Sequence, residues 1–220
     1  MTSGSAAGPR RRWRRRAAIA AAAAVATALV GSSIVVATVV GPPSGHGAPA
    51  PSYGPGVPQG PPPPSAAWVR QRTRSSPPPL AALHRQGGRL LDGRLGARLR
   101  ALRGYPIVLN AWASWCGPCR QELPLLARVS ARFGSRVAFV GADVDDSRDG
   151  ARALLAGNHL SYPSYRVSAG EVRALSPIVG FPTTLILDRH GRVEFSHQGQ
   201  YSSPGELAAD VRRQALGRGS

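Results

Sequence analysis

The chain of 220 residues holds two cysteines, Cys116 and Cys119, in the stretch Trp115-Cys116-Gly117-Pro118-Cys119. Thiols spaced as C-x-x-C, after an apolar run and before a helical pattern, suit dithiol chemistry. On the first turn of a helix, positions i and i+3 share a face. Two sulfurs there can close a small ring with little backbone movement. The first would sit at the helix N-terminus, where unpaired N–H groups and the positive dipole end favour a thiolate. The expectation is that Cys116 is the exposed attacking nucleophile and Cys119 the less exposed resolving thiol. A purely structural disulfide is the plain alternative, but so short a loop constrains the unfolded chain far less than a long one. A metal site would need two more ligands. His159, His190 and His197 are scattered and no second pair has ligand spacing, so no metal is expected.

Regular elements must hold these residues. Leu95, Leu99 and Leu102 recur at helical spacing. Ile107 to Trp112 reads as a strand buried on both faces, with Trp112 in the core. Arg120 to Phe133 reads as a helix with Leu123, Leu126, Ala127 and Phe133 inward and a kink at Pro124. Val137 to Ala142 is a second strand, ending at Asp143. Asp143, Asp145 and Asp146 suggest a cation site, but a capping turn with Ser147 is the preferred reading, and Gly157-Asn158 stops the helix that follows. Asn158 to Ser176 shows no clear features. Phe181 to Asp188 and Val193 to His197 are further strands, and Ser203-Pro204-Gly205-Glu206 opens a last helix through Leu216. The order predicts an α/β fold, a mixed sheet with helices on both faces.

The run Asn110-Ala111-Trp112-Ala113-Ser114-Trp115-Cys116-Gly117-Pro118-Cys119-Arg120-Gln121-Glu122-Leu123-Pro124 resembles the active-site signature of the membrane-anchored thioredoxin-like proteins of the TlpA/ResA type. Gly180-Phe181-Pro182-Thr183-Thr184 resembles the family's cis-proline segment, and Leu91-Asp92-Gly93 and Arg103-Gly104-Tyr105-Pro106 match its lead-in. The likeness runs from about Leu83 to Leu216. One departure is Leu175-Ser176-Pro177-Ile178-Val179-Gly180, where the family usually has a Tyr-Gly-Val-type segment.

The resemblance implies a thioredoxin-like fold and a thiol–disulfide oxidoreductase that needs no cofactor beyond a redox-active Cys116–Cys119 disulfide. It implies that Pro182 is cis, facing the disulfide, leaving the preceding backbone free for a bound peptide and keeping metals off the thiols. It places Glu122 on the position of an acid that exchanges a proton with Cys119; a solvated helix carboxylate is the alternative. Gly117 and Pro118 would set the ring geometry, and Trp115, Phe181 and Thr183 would join them in meeting the client. The implied role is reductive: electrons from a membrane dithiol donor, passed to apocytochrome c or other oxidised proteins. A disulfide-forming oxidant, a peroxidase-like enzyme and a non-catalytic metal-delivery module are the rivals.

The N-terminus reads as an address. Arg10 to Arg12 and Arg14 to Arg16 precede 24 uncharged residues, Ala17 to Val40. At about 1.5 Å per residue, such a helix spans roughly 36 Å, enough to cross a core of about 30 Å. The one-sided arginines put residues 1–16 in the cytoplasm and the rest outside the cell membrane. A cleaved signal peptide is the competing reading, with only a faint Ala48-Pro49-Ala50 site. Residues 41–79, rich in Pro and Gly, read as a disordered linker, and 80–220 as the folded domain. The formal net charge of +17 invites a nucleic-acid reading. However, residues 1–79 hold nine Arg and no acid while 80–220 hold all eleven acids, and no aromatic–basic interleaving is present, so nucleic acid is not an expected partner.

Overall fold

The computed structural model describes residues 61–217. The expected basic tail, membrane anchor and most of the linker lie outside the described residues. Among the described residues no helix is long and apolar enough to cross a membrane.

The six residues of β2 (Ile107–Trp112) are all buried, which fits a central strand covered on both faces. β2 pairs in parallel with β3 (Ala138–Val144) and antiparallel with β5 (Thr183–Leu187). With β1 (Leu90–Leu91), β4 (Ser164–Val167) and β6 (Val193–Gln198), the sheet runs β1-β4-β3-β2-β5-β6. β1 and β4 continue the parallel side; β6 closes an antiparallel hairpin with β5. Helix α4 (Gly117–Phe133) makes the crossover from β2 to β3. Pro124 lies inside α4 without ending it. A parallel β–α–β unit, an antiparallel hairpin and a closing helix make a thioredoxin-like fold.

The other helices are α1 (Ala66–Thr73), α2 (Pro78–His84), α3 (Leu95–Ala101), α5 (Arg148–Ala156), α6 (Ala169–Arg173) and α7 (Pro204–Asp210), the last running on as a π-helical turn, Val211–Leu216. Helix α5 starts where the capping turn requires: Ser147 Oγ accepts the N–H of Gly150 at 3.2 Å.

Two expectations need correction. The linker does not extend to Pro79, and the folded domain does not start at residue 80, because α1 and α2 occupy much of 65–79. Ser65 caps α1 through the N–H of Trp68, and Val69, Leu80 and Leu83 are buried in the domain. Pro78 and Pro79 stand in the first turn of α2, the one helical place that favours proline. His84 then ties α2 down, its ring nitrogens 2.8 and 3.0 Å from the carbonyls of Ser161 and Gly134. The second correction is the span Asn158 to Ser176, read as featureless. It contains β4, which joins β3 to β1, and α6, closed by a capping box between Ser168 and Glu171.

Candidate active site

Cys116 and Cys119 form a disulfide, with Cα atoms 5.3 Å apart. Cys116 is the N-cap of α4, and Cys119 lies in its first turn, where its N–H points to Cys116 Sγ at 3.2 Å. An incoming or departing thiolate at Cys116 therefore meets a helix N-terminus and a backbone donor. Cys119 is 1% exposed, the deeper of the two. Cys116 was expected to be exposed, yet only 6% of it is accessible. The physical reason is the closed ring: each sulfur covers the other, and both belong to the buried core. What remains open is an edge flanked by exposed Trp115 and Pro118.

Trp115 is 49% exposed. Its ring stands edge-on to Phe181 at 6.0 Å between centroids, and its Nε1–H donates to the carbonyl of Asp145 at 3.4 Å. Phe181 precedes a cis peptide bond to Pro182. Ala111 pairs with Thr183, so Pro182 lies at the sheet end from which the chain leaves β2 toward Cys116. The redox loop and the cis-proline thus meet from sequence positions far apart. Thr183, expected to contact a client, is fully buried instead. Its hydroxyl donates to the carbonyl of Gly180 at 2.7 Å and sits 3.0 Å from Gln198 Oε1, fixing the loop before the proline. Gly117 is buried, while Val179 just before Gly180 is 92% exposed.

Glu122, one turn beyond Cys119, is completely buried. Asn110 Nδ2 donates to its Oε2 at 3.0 Å, and the N–H of Tyr201 donates to its Oε1 at 3.0 Å. Burial pushes this carboxyl up to about 7, against the pull of those two donors. A group with this pKa both holds and releases a proton near neutrality. A solvated helix carboxylate is therefore not what Glu122 is. Strand β3 brings a second buried acid: Asp143, read from sequence as the end of that strand and as one of three aspartates suggesting a cation site, lies inside β3 and is buried. Among the described residues no group of three or more His, Cys, Asp and Glu could hold a metal ion.

A redox disulfide capping a helix, a neighbouring buried carboxyl and a cis-proline on a thioredoxin-like sheet define a thiol-redox class of protein. The chain belongs to the Redoxin family, whose model matches residues 96–211. It is 31% identical to the thioredoxin-like protein YneN of Bacillus subtilis, over 46% of this chain and 61% of that one. It is 30% identical to the thiol-disulfide oxidoreductase ResA of Oceanobacillus iheyensis, over 46% of this chain and 54% of that one. These matches support the TlpA/ResA type, although the chain spans only about half to three fifths of the length of those relatives. Among solved structures, a thiol:disulfide interchange protein of Chlorobium tepidum is similar, with 28% identity, a TM-score of 0.48, and coverage of 53% of this chain and 83% of that one.

Proposed function

We propose that this protein is an extracytoplasmic thiol–disulfide oxidoreductase that reduces disulfides in protein clients. The observation that carries the reading is the Cys116–Cys119 disulfide at the start of α4, one turn from the buried Glu122. In the reduced protein, Cys116 thiolate attacks a client disulfide, forms a mixed disulfide and releases one client thiolate. Glu122 carboxylate then takes the proton of Cys119, whose thiolate attacks Cys116 Sγ. The Cys116–Cys119 bond forms and the second client thiolate leaves, so the client gains the two electrons that the dithiol gives up. A membrane dithiol donor restores the reduced pair.

The reductive direction, the apocytochrome-type client and the cell-membrane anchor formed by residues 17–40 rest on the family likeness and the N-terminal sequence. In this reading residues 1–16 face the cytoplasm and the domain stands outside, held by a tether that ends before α1. The test has two parts. Cys119→Ser should accumulate a client joined to Cys116 in cells, and Cys116→Ser should accumulate none. The reduction potential should lie near the thioredoxin value of about −270 mV; a value near the oxidant DsbA, about −120 mV, would overturn the reductive direction.

A further inference from the structure

Asp143 takes no part in that exchange, yet it is the most anomalous buried group near the redox loop. It is 1% exposed, and neither carboxylate oxygen has a hydrogen-bond donor. An ionised carboxylate left bare in a core is strongly disfavoured. Strand register sets Asp143 between Trp112 on β2 and Arg166 on β4.

The charged groups that face it are Arg166 and Asp146, the latter from the turn after β3. From β2 comes only the neutral Trp112, whose indole N–H goes to Ser164 Oγ at 3.2 Å. Asp145 is turned away to the N–H of Ala169, and Asp92 meets Arg166 from its outer side at 3.8 Å.

Asp146 is the opposite case. It accepts the N–H of Ser114, the hydroxyl of Ser114 at 2.7 Å and the N–H of Ser147 at 2.7 Å. One carboxylate is saturated with donors while its neighbour has none. A single proton on Asp143, donated to Asp146, removes the contradiction. The trio with Arg166 then carries one negative and one positive charge. Burial first, then Asp146, pushes Asp143 up to about 8, with Arg166 opposing. Ser114, which Asp146 grips by main chain and side chain, is two residues before Cys116.

We propose that buried Asp143 keeps a proton and donates it to the partly exposed Asp146 carboxylate, and that this contact is a positioning device for the redox loop, holding Ser114 in place only while the proton is kept. Loss of the proton sets two negative charges side by side and loosens the grip on Ser114. The positioning part rests on the exchange reaction proposed above; the proton on Asp143 does not.

The experiment uses the full chain in its disulfide form, where neither cysteine titrates. Infrared titration of Glu122→Gln, which removes the other buried acid beside the loop, should show a protonated-carboxyl stretch at neutral pH that disappears with a midpoint near 8. Adding Asp143→Asn should abolish it. Absence of the band in Glu122→Gln overturns the proton on Asp143, and this arm needs no change at Asp143. Asn at 143 keeps a donor toward Asp146 without titrating. The rate at which a small dithiol opens the disulfide in wild type, divided by that in Asp143→Asn, should therefore be near one below about pH 7. It should fall roughly three- to tenfold above about pH 9, well within the hundredfold that an ångström of misplacement can cost. A flat ratio overturns the positioning role. Failure of the exchange reading would show separately, as a Cys119→Ser variant that traps no client.

Discussion

Asn110 Nδ2 stands 3.0 Å from Glu122 Oε2 and 3.1 Å from Thr184 Oγ1, so one amide joins β2, α4 and β5 in the core. Asn110 has no charge to set against that of Glu122, but its donor steadies the carboxylate form. Removing it in Asn110→Ala should move Glu122 further above about 7. Carbon-13 carboxyl titration of the oxidised protein reads this directly; a midpoint that stays put or drops would show that Asn110 does not stabilise the anion. The lost buried hydrogen bonds should also cost about 1–3 kcal/mol of stability.

Stability should depend on pH through Glu122, and the sign follows from the direction of its shift. Its folded pKa, about 7, lies above the ordinary value of 4.5. Folding therefore takes up a proton between those values, so this contribution is complete below about pH 4.5 and is lost as pH rises through about 7. The loss is on the order of 3 kcal/mol. Glu122→Gln should lack that slope. Urea unfolding at a series of pH values checks it, and parallel curves for the two proteins would contradict it. The same substitution should slow resolution of the mixed disulfide.

Gly141 is where the indole of Trp112 crosses β3 to reach Ser164. A Cβ at position 141 would come within 2.1 Å of Ser164 Oγ and 3.0 Å of Trp112 Nε1. Gly141→Ala should destabilise by about 1–3 kcal/mol, and adding Ser164→Gly should recover part of it because the two sites are in contact. Thermal unfolding of the single and double variants decides; strictly additive losses would mean that the clash lies elsewhere.

Trp115 offers its ring to solvent while Trp112 is fully buried, so alanine should separate their roles. Trp112→Ala should cost about 3–5 kcal/mol. Trp115→Ala should cost at most about 1.5 kcal/mol, the scale of its edge-on pair with Phe181. It should raise KM for a protein disulfide while leaving reaction with a small dithiol little changed. Equal effects on both substrates would remove Trp115 from the docking surface.

The parts of the molecule with strong local signals were legible in its residues. The cysteine pair, β2, β3, β5 and the capped start of α5 all carry apolar runs or cap residues that act over a few positions. β1 and β4 are short, and Ser164-Tyr165-Arg166-Val167 mixes polar with apolar side chains. Only pairing with β3 and β1 makes it a strand. Helix α1 carries Arg70, Gln71 and Arg72 with no apolar stripe, so tertiary packing against α4 defines it more than its own pattern does. The family likeness singled out Glu122, but its two donors come from positions 110 and 201, which no local reading joins. Asp143 was legible only as a strand end and one of three neighbouring aspartates, because a carboxylate at a strand end is ordinarily solvated and its burial emerges only when β4 pairs beside β3.

The amide of Tyr201 that holds Glu122 lies 79 positions further along the chain, whereas the sulfurs are separated by three. During synthesis from the N-terminus, both thiols are made well before the segment that completes the carboxyl's surroundings. A truncated or still-growing chain can therefore join its cysteines, but it lacks the setting that places their partner acid near neutrality. In the exchange proposed above, proton handling by Glu122 would thus be a property of the folded domain, arriving only when the segment around Tyr201 docks.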